Sequence, residues 1–204
     1  FQCDMFKVIE KKGGKLENGE RLTSQKPWDM MIAHPPCTYL AVSGARWFYD
    51  PVTKKEPHPK YKDRRKKQKQ AIDFFLRLWN AKIEFIAIEN PIGVMSSKLN
   101  PPNQIVQPFH FGDRARKTTC FWLKGGLPLL KHTDVVDEGE RVVFKSGKSQ
   151  PKWYSDAFVK SKSDEERRTM RSKTFPGMAR QIAIQWSSFV SLQAEIGIKE
   201  LKSA

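Results

Sequence analysis

Three short apolar runs punctuate an otherwise polar chain: WDMMIAH (Trp28–His34), KIEFIAIENP (Lys82–Pro91) and KTTCFWLKG (Lys117–Gly125). Runs of this length, ended by proline or glycine, predict buried strands. Between the first two, KYKDRRKKQKQAIDFFLRLWNA keeps Ala71, Ile72, Phe75, Leu78 and Trp79 at helical spacing. SDEERR opens another helix, with Ser163 as N-cap and Glu166 three residues on, the pattern of a capping box. PGMARQIAIQWSSFVSLQAEIG is a final amphipathic helix with Pro176 suited to its first turn. RVVFK (Arg141–Lys145) is one short strand candidate in the polar stretch 131–162. The opening FQCDMFKVIE reads as a strand end, an acidic turn at Asp4 and a helix start. KKGGKLENGERLTSQK is a glycine-punctuated loop or surface hairpin, and GVMSSKLNPPNQIVQPFHFG is mostly irregular.

Buried strands alternating with helices predict an open α/β sheet. Ligands of such sheets sit at the carboxyl ends of the strands. Two strand ends carry chemistry there. IAHPPC sets Cys37, a nucleophile, just past the first strand, and IAIENP sets Glu89 at the end of the second. A thiolate can attack an electrophilic carbon. A carboxyl group beside it can hydrogen-bond and protonate a ring nitrogen. Pyrimidine C6 becomes a good electrophile only when N3 is protonated or hydrogen-bonded, so that chemistry needs both groups. The rigid Pro35-Pro36 segment would fix the direction of the sulfur. The long irregular stretch from Thr38 to Pro59, which holds Ser43, Arg46 and Trp47, is a candidate lid.

Charge narrows the partner. Lys and Arg number 37 against 22 acids, a formal net charge of +15, which draws a chain to polyanions and to nucleic acid first. Arg64, Arg65, Lys66 and Lys67 crowd the first turn of a predicted helix, where cations oppose the helix dipole. Phosphates opposite them would account for that cost. Three widely spaced cysteines, Cys3, Cys37 and Cys120, form neither a disulfide framework nor a zinc site. His110 and His132 lack metal-ligand spacing, so no metal is expected. No apolar run is long enough to span a membrane. The expected setting is the cytoplasm of a bacterial or phage-infected cell, or its nucleoid.

Pro36-Cys37 followed by Glu89-Asn90, both at strand ends, resembles the C5-cytosine DNA methyltransferases. In that family a Pro-Cys pair holds the nucleophile and a Glu-Asn pair binds the base. FHFGDRARKTTCFWL (109–123) is similar to the family's segment of a glycine turn, basic residues and a strand. RSKTFPGMARQIAIQW (171–186) resembles its last conserved block, a helix beside the cofactor site. HPPCTYLAVSGARWF, IENPIGVMSS and the stretch KTTCFWLKGGLP are similar to compact, phage-type members. His34-Pro35-Pro36 also resembles the Asp-Pro-Pro-Tyr motif of amino-methyltransferases, but Cys37 stands where that motif has its aromatic residue.

The resemblance implies a Rossmann-like sheet with helices on both faces, dependent on S-adenosylmethionine. Cys37 and Glu89 would act on a cytosine flipped out of DNA. Pro36, Asn90, Pro91, Ser43, Arg46, Arg114, Arg116 and Lys117 would line the base, although Thr118 and Thr119 occupy part of the register of the family's two arginines. Asp4 and Pro35 would meet the cofactor. The family's first strand and glycine turn should precede Phe1 or come from a second chain. The expected division is a catalytic part at 1–130, a small insert at 131–162 that is a candidate target-recognition element, and a helical part at 163–204 returning to the catalytic domain. The alternative is an inactive or split methyltransferase-fold protein that binds DNA without modifying it.

Overall fold

The computed structural model describes Phe6, Ile9, residues 14–15, 21–22 and 28–203, with side chains to residue 196. Phe6 and Ile9 are helical, and Asp4 lies outside the described residues. β1 (Gly14–Lys15) and β2 (Arg21–Leu22) pair antiparallel, as the expected surface hairpin requires.

Three of the strands that carry the sheet are those the apolar runs predict: β3 (Met30–Ala33), β4 (Phe85–Asn90) and β6 (Thr119–Lys124). A fourth, β5 (Gln104–Val106), falls in the stretch expected to be mostly irregular. The strand order is β3-β4-β6-β5. β3 runs parallel to β4, and β4 runs antiparallel to β6, so the sheet is mixed. The protein is therefore α/β, with a mixed four-stranded sheet and helices. β4 lies between two neighbours, and Phe85, Ile86, Ala87 and Ile88 are all buried. That is why it reads as an unbroken apolar run rather than an alternating one.

The parallel crossover from β3 to β4 is made by α1 (Arg64–Trp79), which buries Phe75 and Leu78. They join Leu40, Ile83, Ile86, Ile88, Met95 and Trp122 in the core. Phe75 meets Trp122 edge to face with ring centroids 5.3 Å apart. The Trp122 indole N–H donates to Asn100 O at 2.8 Å, which lets a tryptophan be wholly buried. Beyond β4 comes a one-turn helix, α2 (Met95–Lys98).

The chain divides into two compact units. One holds Phe1–Gln104 and Cys120–Leu127, the other Ile105–Thr119 and Pro128–Ala204. The second unit carries an antiparallel ribbon of β7 (Arg141–Val143) and β8 (Ser149–Pro151). It also holds helices α3 (Lys152–Lys160), α4 (Asp164–Ser172) and α5 (Pro176–Ser203). β7 falls on the strand candidate RVVFK, while β8 and α3 lie in the rest of that polar stretch. Ser163 caps α4 as expected, accepting from Glu166 N at 3.0 Å. Asp113 caps α5, accepting from the N–H groups of Gly177 and Met178 at 2.9 and 3.2 Å. Met178, Ile182 and Trp186 form the buried stripe of α5 at four-residue spacing. Among the described residues, no helix is long and apolar enough to cross a membrane.

Candidate active site at the ends of β3 and β4

The register of β3 and β4 builds the site. Met30 pairs with Phe85 and Ala33 with Ile88, a constant offset of 55 residues. The offset persists past the last paired residues. His34 Nδ1 lies 3.0 Å from Glu89 Oε2, and Asn90 Nδ2 donates to Pro35 O at 2.8 Å. Parallel neighbours put residues of matching register side by side on one face. His34, the residue after β3, and Glu89, still within β4, thus meet because the register of the pair continues past the end of β3. Glu89 is partly buried, with 19% of its side chain exposed, and His34 is 44% exposed. The carboxylate is shielded but open on one side.

Asn90 is itself buried, and its Oδ1 has no hydrogen-bond partner among the described residues. Its amide ties the end of β4 to the proline segment that leads into Cys37. Cys37 is exposed. Its carbonyl accepts from Leu40 N and Ala41 N, both at 2.9 Å, so the nucleophile candidate opens a tight turn. That turn is pinned to the segment after Glu89 by two backbone bonds, Val94 N to Leu40 O and Val42 N to Ile92 O, both 2.9 Å. Ala41 and Gly93 face each other across this bridge. Gly93 is required there, because a Cβ would fall 2.8 Å from the Leu40 carbonyl carbon and nearer still to its oxygen.

The candidate lid is an ordered structure. Residues Val42–Trp47 form a 3-10 turn. Asp50 closes the next turn, accepting from Val52 N and Thr53 N at 2.7 and 2.9 Å. Those two bonds hold its carboxyl below the usual range. Trp47, the buried His58 and Tyr61 pack ring on ring, with Trp47 5.5 Å from each of the other two. α1 clamps this excursion: Gln68 Nε2 donates to Tyr39 O at 3.0 Å, and Arg64 Nη2 donates to Thr38 O at 2.9 Å.

Arg64 departs from the expected phosphate role. It is buried, and its guanidinium lies over Tyr39 at 5.2 Å and Phe48 at 4.9 Å. The dipole cost that suggested phosphate is met from inside, by a carbonyl and two rings. Arg65 is exposed but engaged, 2.7 Å from the Tyr49 hydroxyl and stacked on its ring. Lys66 and Lys67 are exposed, as a phosphate role requires. Ser43 and Arg46 are exposed on the 3-10 turn, with the Arg46 guanidinium 4.6 Å from the Trp47 ring. Pro36 is exposed and Pro91 half-buried.

The three basic candidates of 114–117 belong to the second unit and have partners there. Arg114 pairs with Asp137, and Arg116 with Glu138 at 2.9 Å. Lys117 Nζ donates to Lys173 O at 3.0 Å. Asp137 and Glu138 thus occupy the arginines expected to reach a base. Cys120, opposite Asn90 on β6, is buried. Burial first, and the charge of Glu89 second, push its thiol up to about 11, so it is inert as a nucleophile near neutrality.

His34 is the residue that sequence reasoning missed. The signal was present: MMIAHPP and FIAIENP, aligned at an offset of 55, match Pro36 with Pro91 and His34 with Glu89.

The fold and this pair define an α/β protein whose polar groups gather at the carboxyl ends of adjacent parallel strands, where such sheets bind ligands. No protein-family model matches the chain, and no curated protein matches it.

Proposed function

We propose that the chain is a DNA cytosine-5 methyltransferase, and that its sheet is the Rossmann-like sheet of that family with helices on both faces. One observation carries the reading: His34 Nδ1 lies 3.0 Å from Glu89 Oε2 at the carboxyl end of β4, and the segment that His34 opens leads through Pro35 and Pro36 to an exposed Cys37. A net charge of +15 supports a nucleic acid as the partner.

The chemistry follows from these residues. The target cytosine leaves the base stack, since C5 and C6 are unreachable within it. The Cys37 thiolate attacks C6 and an S–C6 bond forms. Glu89 donates a proton toward N3 and accepts from the exocyclic amine, so the electron pair displaced from C6 collects at C5. Loss of the C5 proton and expulsion of the thiolate later restore the aromatic ring. S-adenosylmethionine, implied by the family resemblance, would supply an electrophilic methyl group. The described residues do not carry the cofactor expectation. Asp4 lies outside them, and Pro35 is buried with its carbonyl bonded to Asn90.

Incubation with methyl-labelled S-adenosylmethionine and mixed-sequence duplex DNA should place label at cytosine C5. Bound DNA and bound cofactor without transferred label would favour the alternative, a methyltransferase-fold protein that holds DNA without modifying it.

The phosphate role now rests on Lys66 and Lys67. Changing both to glutamine should lower the slope of log binding constant against log salt by about 2, near 0.9 for each phosphate no longer neutralised. An unchanged slope would return them to an ordinary solvated face.

A further inference from the structure

We propose that His34 is the positioning residue for Glu89: it holds one carboxyl oxygen in place and reloads the carboxyl with a proton during turnover. The inference rests on the methyltransferase reading and adds a residue to it.

With the acid proton of Glu89 on Oε1, Oε2 is left as an acceptor, so Nδ1 of His34 carries the hydrogen across the 3.0 Å contact to it. That fixes the tautomer and leaves Nε2 without a hydrogen. Oε2 has a second lone pair for the exocyclic amine of the base, and Oε1 remains for N3. The histidine therefore orients the carboxyl without blocking the edge it must read.

The same contact can move a proton. When the S–C6 bond forms, Glu89 passes its proton to N3 and becomes a carboxylate. The Nδ1 hydrogen of His34 then moves to Oε2, and Nε2 takes a hydrogen from water. The pair gains one proton from solvent for each one given to the base, and the reverse transfer returns it when the thiolate leaves. The exposure gradient fits this direction of supply, since 44% of the His34 side chain is exposed against 19% for Glu89.

The test uses the full chain and the rate of covalent adduct formation on DNA carrying 5-fluorocytosine, measured in a single turnover. His34→Asn places a nitrogen where Nδ1 stands but cannot relay a proton, whereas His34→Gln places one where Nε2 stands. His34→Ala and His34→Gln should slow the adduct about 100-fold, the low end for a lost acid–base partner. DNA affinity and the melting midpoint should stay near wild type, because the side chain is half exposed. His34→Asn should recover part of the loss, and imidazole added to solution should speed His34→Ala.

A wild-type adduct rate in His34→Ala overturns the inference. So does a slowed His34→Ala that neither the asparagine variant nor imidazole restores. Absence of any adduct from the wild-type chain on DNA it demonstrably binds overturns the methyltransferase reading, and this inference with it.

Discussion

Glu89→Gln should slow methyl transfer by about 10²–10⁴-fold while DNA affinity stays near wild type. The substitution separates two tasks of one side chain. Glutamine keeps the shape of the carboxyl, an oxygen to accept from His34 and the exocyclic amine, and a nitrogen to donate to N3. It has no acidic proton to give. A flipped cytosine would still be held, but the charge that builds on the ring after attack at C6 would find no proton. Glu89→Ala removes both tasks and should lose affinity for a flipped base as well as rate. Equal rates for the glutamine variant and wild type would mean that Glu89 positions the base only. Partial burial of Glu89, with a hydrogen-bonded histidine on its flank, makes it the group best placed to carry a proton here.

The second large effect concerns backbone. Gly93→Ala should destabilise the protein by about 3 kcal/mol, the upper end for overpacking, because the added carbon meets main chain rather than a movable side chain. The melting midpoint should fall by roughly 10 °C on that basis. Activity should fall further than stability alone explains. The bridge of Ala41 to Gly93 fixes the turn opened by Cys37 against the segment that follows Glu89. Pushing the strands of that bridge apart moves the thiol relative to the carboxyl. The check is methyl transfer at a temperature well below the variant's midpoint, where a purely global effect would leave the rate unchanged. A melting midpoint equal to wild type would show that Leu40 can yield, and would remove the bridge as a constraint.

The sheet was legible because burial on both faces writes itself as continuous apolar text. β3, β4 and β6 announce themselves that way, and α1 shows its helical period. β5 did not, since its three residues include an exposed Ile105 and only Val106 is buried. In the insert, β7 was legible as RVVFK, but β8 was not, for a related reason. The β7–β8 ribbon buries little and is held by its own ladder, with Arg141 bonded to Ser149, and ladders leave no hydropathic trace.

At the site, Cys37 and Glu89 stood out because reactive groups directly followed strands. His34 did not, because its role depends on strand register, a relation between two segments 55 residues apart. Arg64 was misread for the same kind of reason. A run of four cations looks uniform in sequence, but a helix turns its residues to different sides. The first of the four faces a carbonyl and two aromatic rings. Arg114 and Arg116 found their partners in Asp137 and Glu138, more than twenty positions on, where a motif search does not look.

One measurement bears most directly on the pairing of thiol and carboxyl at a single pyrimidine. Duplex DNA containing 5-fluorocytosine is incubated with the chain and S-adenosylmethionine, and the product is resolved under denaturing conditions. Fluorine at C5 blocks the final proton loss, so a protein–DNA adduct stable to denaturation should accumulate, mapping by peptide mass to Cys37. It should vanish in Cys37→Ser while DNA binding persists. Undiminished adduct in Cys37→Ser, or none from the wild-type chain with DNA and cofactor both bound, would contradict the account.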